Sequence, residues 1–233
     1  MPGESMADEE TSDDAGLRFL RAVEVMVILP DEARTTAARW LDQSRARHPE
    51  DALDQHQDRA ARDLVGYYAS LAATSGGLTS LAGIVPGLGT AVAMLGGGVA
   101  DGAICMKLQV DMCLCLAGVF GWDLDTEEAR YLSFLLSAGA TLERAGDDDG
   151  ERLDTEGGVA RVRRMLKGAR LQSTSDLFKK VGIVLARSSI AKSLPFGIGV
   201  VFSGGTNYAL MKYVGEAATC WLRLDRATTD PAA

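Results

Sequence analysis

Apolar residues along this chain recur at the three-to-four-residue spacing of helices, and no segment alternates apolar and polar positions as a strand does. Residues that end helices divide the pattern, with proline at 30, 49 and 195 and glycine at 121 and 146. The pattern predicts an all-α fold with one helical bundle over 16–225. We expect an acidic disordered segment over 1–15 and a frayed tail over 226–233.

The longest uncharged run covers 37 residues between Asp63 and Asp101. A Pro-Gly-Leu-Gly sequence at 86–89 breaks it into two arms, and a long helix is predicted over Thr90–Phe120. Small residues let helix backbones approach closely. We therefore predict a central Gly-rich apolar hairpin, Leu78–Ala100, packed against a helix over Phe196–Tyr213. The glycines assigned to this close packing are Gly83, Gly87, Gly98, Gly102, Gly199 and Gly204.

Three placements of the hairpin stay open: burial inside the bundle, shallow membrane contact, and a true membrane span. About 20 apolar residues are enough to cross a bilayer. The nine strongly apolar residues between Leu78 and Ala100 contribute only about 3–5 kcal/mol towards insertion, and Asp101 costs about 2.5–3.5 kcal/mol near the bilayer centre. The balance favours the buried hairpin.

No candidate motif for catalysis or metal binding has all the residues that the motif requires. The glycines of Gly87–Val92 lack the third glycine of a dinucleotide loop and the Gly-Lys-Ser/Thr of a P-loop. The acidic loop Gly146–Gly158 is not an EF-hand calcium loop. With Gly150 as the glycine at position 6, position 1 would need an acid, and Ala145 stands there. His48 and His56 lie in charged helical sequence and are predicted to be solvated. We assign no catalytic residue, metal or cofactor.

Four polar residues interrupt the apolar helices and are candidates for burial inside the bundle. Lys107 and Asp111 are four residues apart, so they can pair on one helix face. Asp101 and Asp111 would lie about 15 Å apart along a helix, too far for a carboxylate pair to act together. Asn207 interrupts the last apolar helix. The four cysteines form no CxxC motif, which indicates reduced thiols in a reducing compartment.

The formal net charge of −8 disfavours nucleic acid as a partner. Charge is unevenly distributed, since 1–15 has six acids and no Lys or Arg, whereas Val159–Lys192 has nine Lys or Arg and one acid. Such a basic segment is typical of surfaces that bind anionic lipid, or of a solvated helix face balanced by acids elsewhere in the fold. The candidate lipid contacts are Arg161, Arg163, Arg164, Lys167 and Arg170.

Three sequence blocks, in this order, resemble the EcsC family. They are "ASLAATSGGLTSLAGIVPGLGTAVAMLGGGVADGAICMKLQ", "CLAGVFGWDLDTEEARYLSFLL" and "SIAKSLPFGIGVVFSGGTNYALMKYVGEAA". Together they cover about 67–220. The resemblance implies a bacterial, largely helical protein, and membrane association is the usual expectation for this family, whose type member is encoded beside an ABC transporter. It supplies no catalytic residue.

The sequence thus favours a non-catalytic, cytoplasmic protein associated with the inner membrane face, as an accessory to membrane transport or membrane homeostasis. The expected partner is anionic membrane lipid or a membrane protein. Two alternatives remain: a hydrolase acting on a lipid-like substrate, and an effector that inserts into membranes and forms pores. The oligomeric state and the partner's identity are left open.

Overall fold

The computed structural model describes residues 19–74, 97–146, 150–168, 176–178, 180–181 and 204–229. Within these ranges the regular structure is helical and no strand occurs, which confirms the all-α prediction. A short helical segment, 19–26, comes first. The longer helices are α1 (Pro30–Arg47), α2 (Leu53–Thr74), α3 (Gly97–Val119), α4 (Glu127–Ala145), α5 (Glu156–Lys167) and α6 (Gly204–Thr229).

Several predictions fall outside the described residues. They concern the acidic segment 1–15, nearly all of the hairpin Leu78–Ala100, and most of the partner helix before Gly204. The individual residues outside are Gly83, Gly87, Gly199 and Arg170.

Helix ends follow local capping chemistry. Gly121 (φ 86°) ends α3 and Gly146 (φ 75°) ends α4, and both adopt the left-handed conformation that glycine tolerates best. The sequence Asp125-x-x-Glu128 has the pattern of a capping box, but the cap of α4 is Thr126, whose hydroxyl accepts a hydrogen bond from the Ala129 amide at 3.2 Å. Asp31 has the residue type of a helix cap, but α1 already begins at Pro30, since proline has no amide hydrogen to satisfy in the first turn.

α3 is the central helix of the bundle. It packs against α1, α2, α4 and α6, while α6 also packs along α2. Every residue over 103–117 is buried, so α3 has no solvent-facing side along most of its length. The largest buried side chains around it include Phe19, Phe134, Phe178 and Trp221. The fold therefore encloses one apolar helix within a layer of amphipathic ones.

α6 continues to Thr229, four residues into the range predicted to fray. The Arg226 guanidinium donates a hydrogen bond to the Gln57 side chain of α2. The Thr228 and Thr229 hydroxyls donate to the Asp225 carbonyl at 2.8 and 2.7 Å. The bond between Arg226 and Gln57 holds the last turn to the bundle, and no local sequence pattern predicts it because the two residues are distant along the chain.

Candidate functional site

One helix in the described part of the chain is long and apolar enough to cross a membrane. It is the α3 stretch Gly102–Val119, 18 residues long and 89 % buried inside the bundle. A helix surrounded by other helices must be apolar on all sides whether or not a membrane is present. The apolarity of α3 is thus accounted for by its position in the core.

Lys107 and Asp111 form a buried ion pair on α3, as their spacing predicted. The Lys107 ammonium contacts Oδ2 of Asp111, and the two side chains are only 6 % and 1 % exposed. The second carboxylate oxygen of Asp111 accepts a hydrogen bond from the Ile28 amide at 3.1 Å. Burial raises the pKa of Asp111, while Lys107 and the Ile28 amide lower it. This pair ties the segment before α1 to the central helix.

Two further polar groups of the core, Gln109 and Tyr68, have partners on neighbouring helices, and a third, Asn207, has an oxygen without a partner in the described part of the chain. The Thr141 hydroxyl of α4 donates to Oε1 of Gln109 at 2.8 Å, and the Tyr68 hydroxyl of α2 lies 3.6 Å from Cys115 Sγ. Sequence reasoning missed Gln109, although a glutamine within an apolar helix is a signal of an interhelical hydrogen bond. Asn207 is buried, and its Oδ1 has no hydrogen-bond partner among the described residues.

Three surface clefts border the outer side of α6, with volumes of about 320, 480 and 400 Å³. The buried pair Lys107–Asp111 lines none of them. A hydrolase would need polar side chains that converge on a cavity, whereas Lys107 pairs with Asp111 within α3 and Gln109 pairs with Thr141 of α4. Gly98 and Asp101 belong to the first turns of α3, Gly102 follows them on the same helix, and Gly204 opens α6.

His56 is buried, which corrects its prediction as a solvated residue. Its Nδ1 lies 3.1 Å from the Ser44 hydroxyl, so the imidazole bridges α1 and α2. The charged sequence around His56 concealed this contact, because only one face of α2 turns towards α1. His48 is the residue that follows α1 and is partly exposed.

The predicted lipid-contact residues on α5 differ in whether they bind another helix or face solvent. Val159, Val162 and Leu166 are buried and fix the orientation of the helix. The Arg163 guanidinium is turned towards α6, where it forms an ion pair with the buried Asp225 carboxylate. Arg163 therefore links two helices, and its assignment as a lipid contact stays a prediction.

Arg164 and Lys167 are exposed and make no ion pair with the residues the structure describes. Arg161, one turn earlier, is partly buried. The three cations follow one another at spacings of three residues, which places like charges side by side on α5. We call Arg164 and Lys167 the exposed cation pair.

Lys167 of this pair also lines the cleft of about 480 Å³. Its lining combines aromatic, acidic and basic residues: Phe120, Trp122, Asp123, Glu128, Arg163, Lys167, Asp225 and Arg226. The C-terminal ends of α3, α5 and α6 all contribute to it, and helix C-termini carry partial negative charge. Asp123, Glu128 and Asp225 partly offset the positive charge of Arg163, Lys167 and Arg226 in this cleft, whereas Arg164 lies outside its lining.

The burial of the four cysteine residues predicts how their thiols react. Burial raises the pKa of Cys115 to about 12 and also raises that of Cys113. Cys220 is only partly buried. Because the thiolate is the reactive species, we expect Ellman's reagent to modify Cys220 first in the native protein at pH 8, and the other three only after unfolding. Four thiols reacting at one rate would contradict the closed core.

In the part of the chain covered by the structure, no group of three or more His, Cys, Asp or Glu side chains is placed to hold a metal ion. Comparison of the chain with protein-family models, with curated proteins and with solved structures gave no match.

Proposed function

We propose that this chain is a non-catalytic, EcsC-like protein that binds anionic lipid at the cytoplasmic face of the inner membrane through Arg164 and Lys167. Its role there is accessory to membrane transport or membrane homeostasis. The observation that carries the proposal is the exposed cation pair, two neighbouring cations of α5 with no ion-pair partner among the described residues, whereas other exposed cations such as Arg34 and Arg223 are paired with acids of other elements.

The proposed attachment is peripheral and electrostatic. The apolar face of α5 is packed against the bundle, and the apolar helix α3 is enclosed by the other helices. Each cation held near an anionic leaflet contributes about 1 kcal/mol, and this attraction decays within a Debye length of about 8–10 Å. Binding that rests on two such contacts is reversible and sensitive to salt.

Flotation with vesicles of phosphatidylglycerol and phosphatidylcholine tests the proposal. Replacing Arg164 and Lys167 together by Glu is expected to weaken vesicle binding by about tenfold to thirtyfold, since each lost contact is worth about 1 kcal/mol. Arg163 is left unchanged, because reversing its charge would break the bond to Asp225 and confuse folding with binding.

The matched control replaces Arg39 and Arg45 of α1 by Glu, which changes the net charge by the same amount at two exposed positions away from α5. Equal weakening by both variants would mean that only net charge matters and would refute a specific surface. Wild-type protein that stays unbound at 0.1 M salt would refute lipid binding altogether. Release of a trapped dye from the vesicles would instead support the membrane-inserting alternative.

A further inference from the structure

We infer that the acidic segment 1–15 of this chain binds over the exposed cation pair and competes with anionic lipid for it. The inference rests on the proposed function and adds its regulation: the protein carries its own competitor for the lipid surface. The chemistry is that of carboxylates against two unpaired cations, and the occupant is a segment of the same chain that lies outside the described residues.

Charge complementarity is the first argument. The segment has six carboxylates and no Lys or Arg, namely Glu4, Asp8, Glu9, Glu10, Asp13 and Asp14. The positions three and four residues away from Arg164 on α5 are Ala160, Arg161, Lys167 and Gly168, so its own helix offers it no acid. Two adjacent like charges favour a counter-anion from elsewhere.

The place where the segment joins the bundle is the second argument. Phe19 is the first described residue and is buried, with its ring 6.3 Å from that of Phe178. The Phe178 ring lies 5.3 Å from that of Phe134 on α4, and the Arg130 guanidinium stands 5.9 Å above the Phe134 ring. α4 also packs against α5, so α4 connects the place where the segment is anchored with the helix that carries the cation pair.

Reach is the third argument. The 18 residues that precede Phe19 span at most about 60 Å when fully extended. α5 is a helix of 12 residues, or about 18 Å in length. The segment is therefore long compared with α5, and its length does not keep the acids from Arg164 and Lys167. An attached competitor acts at an effective concentration near the millimolar range for short linkers, so weak ion pairs are enough to matter.

The first experiment measures lipid affinity with the full chain. Converting all six acids to their amides (E4Q, D8N, E9Q, E10Q, D13N and D14N) is expected to strengthen binding to phosphatidylglycerol vesicles by roughly fivefold, the scale of one or two exposed ion pairs. The gain should disappear when Arg164 and Lys167 are also replaced by Gln. A gain that persists there would come from reduced general repulsion and would overturn the inference.

A second experiment needs no lipid. Zero-length carbodiimide coupling of the dilute wild-type protein, followed by peptide mapping, is expected to join acids of 1–15 to Lys167 more often than to Lys212, a partly exposed lysine of α6. Adding 0.5 M salt should reduce the coupling, since Coulomb attraction is then screened within about 4–5 Å. Equal coupling to both lysines would overturn the inference.

The two proposals fail in different ways. Wild-type protein that binds vesicles through Arg164 and Lys167, with no gain on neutralising the acids, would leave the proposed function standing and refute the competition. If neither the wild type nor the neutralised variant binds vesicles, the proposed function fails and lipid competition fails with it, whatever the coupling to Lys167 shows.

Discussion

Lys107→Met lowers the free energy of unfolding by about 3–5 kcal/mol, because it leaves the buried Asp111 carboxylate without its counter-charge. Asp111 is 1 % exposed and keeps only the hydrogen bond from the Ile28 amide once the ammonium is gone. Burial already raises the pKa of Asp111, and removal of Lys107 raises it further, so the carboxyl takes up a proton more readily in the variant. Urea unfolding followed by circular dichroism measures the loss.

A matched control is available on α6. Lys212 pairs with Glu216 at the same four-residue spacing, at 3.6 Å, but the pair is exposed to solvent. Lys212→Met should therefore cost at most about 0.5 kcal/mol. The double substitution of Lys107→Met with Asp111→Leu should recover part of the loss, since it removes both charges from the core. A loss for Lys107→Met no larger than for Lys212→Met would contradict the buried pair.

Gly215→Ala destabilises the bundle by about 1–3 kcal/mol, the usual cost of overpacking a core. α6 crosses α2 so closely at this glycine that an added Cβ would lie 2.6 Å from both Cγ atoms of Val65. Valine is branched at Cβ and stiff, so it cannot swing aside. Thermal unfolding of the variant measures the cost.

Gly66, the next residue along α2 after Val65, provides the opposite control. A Cβ at Gly66 meets nothing within 4 Å, and alanine favours helix over glycine. Gly66→Ala should therefore stabilise the protein by about 0.5–1 kcal/mol. Combining Gly215→Ala with Val65→Ala should restore part of the loss, because it removes the obstructing methyl groups. Equal effects of Gly66→Ala and Gly215→Ala would contradict this helix crossing.

The fold class, the glycine ends of α3 and α4, and the Lys107–Asp111 pair could be predicted because each depends on residues close together in sequence. Helical spacing and capping chemistry act within one or two turns. The roles of His56 and Gln109 could not, since each depends on a partner in another helix. The position of α3 at the centre could not be predicted either, because a helix without a polar face does not show which of its sides packs against which neighbour.

The candidate site shows the same limit within a single helix. Arg163 and Arg164 are adjacent residues of one type, and the basic composition of α5 does not distinguish between them. One turns towards Asp225, which is 62 residues away, and the other turns to solvent. Composition therefore predicted the segment, and tertiary packing decides which of its cations remain available. The resemblance to the EcsC family stays a prediction.

The bond between Arg163 and Asp225 fixes α5 against the C-terminal half of α6, so in the proposed membrane contact the bundle would meet a flat surface in one orientation. The contact footprint is then a single helix of 12 residues, about 18 Å long. A protein that contacts a membrane through one short helix can tilt about that helix, and it dissociates soon after it binds. Long residence would require several copies side by side, or a second anchor supplied by a partner already in the membrane.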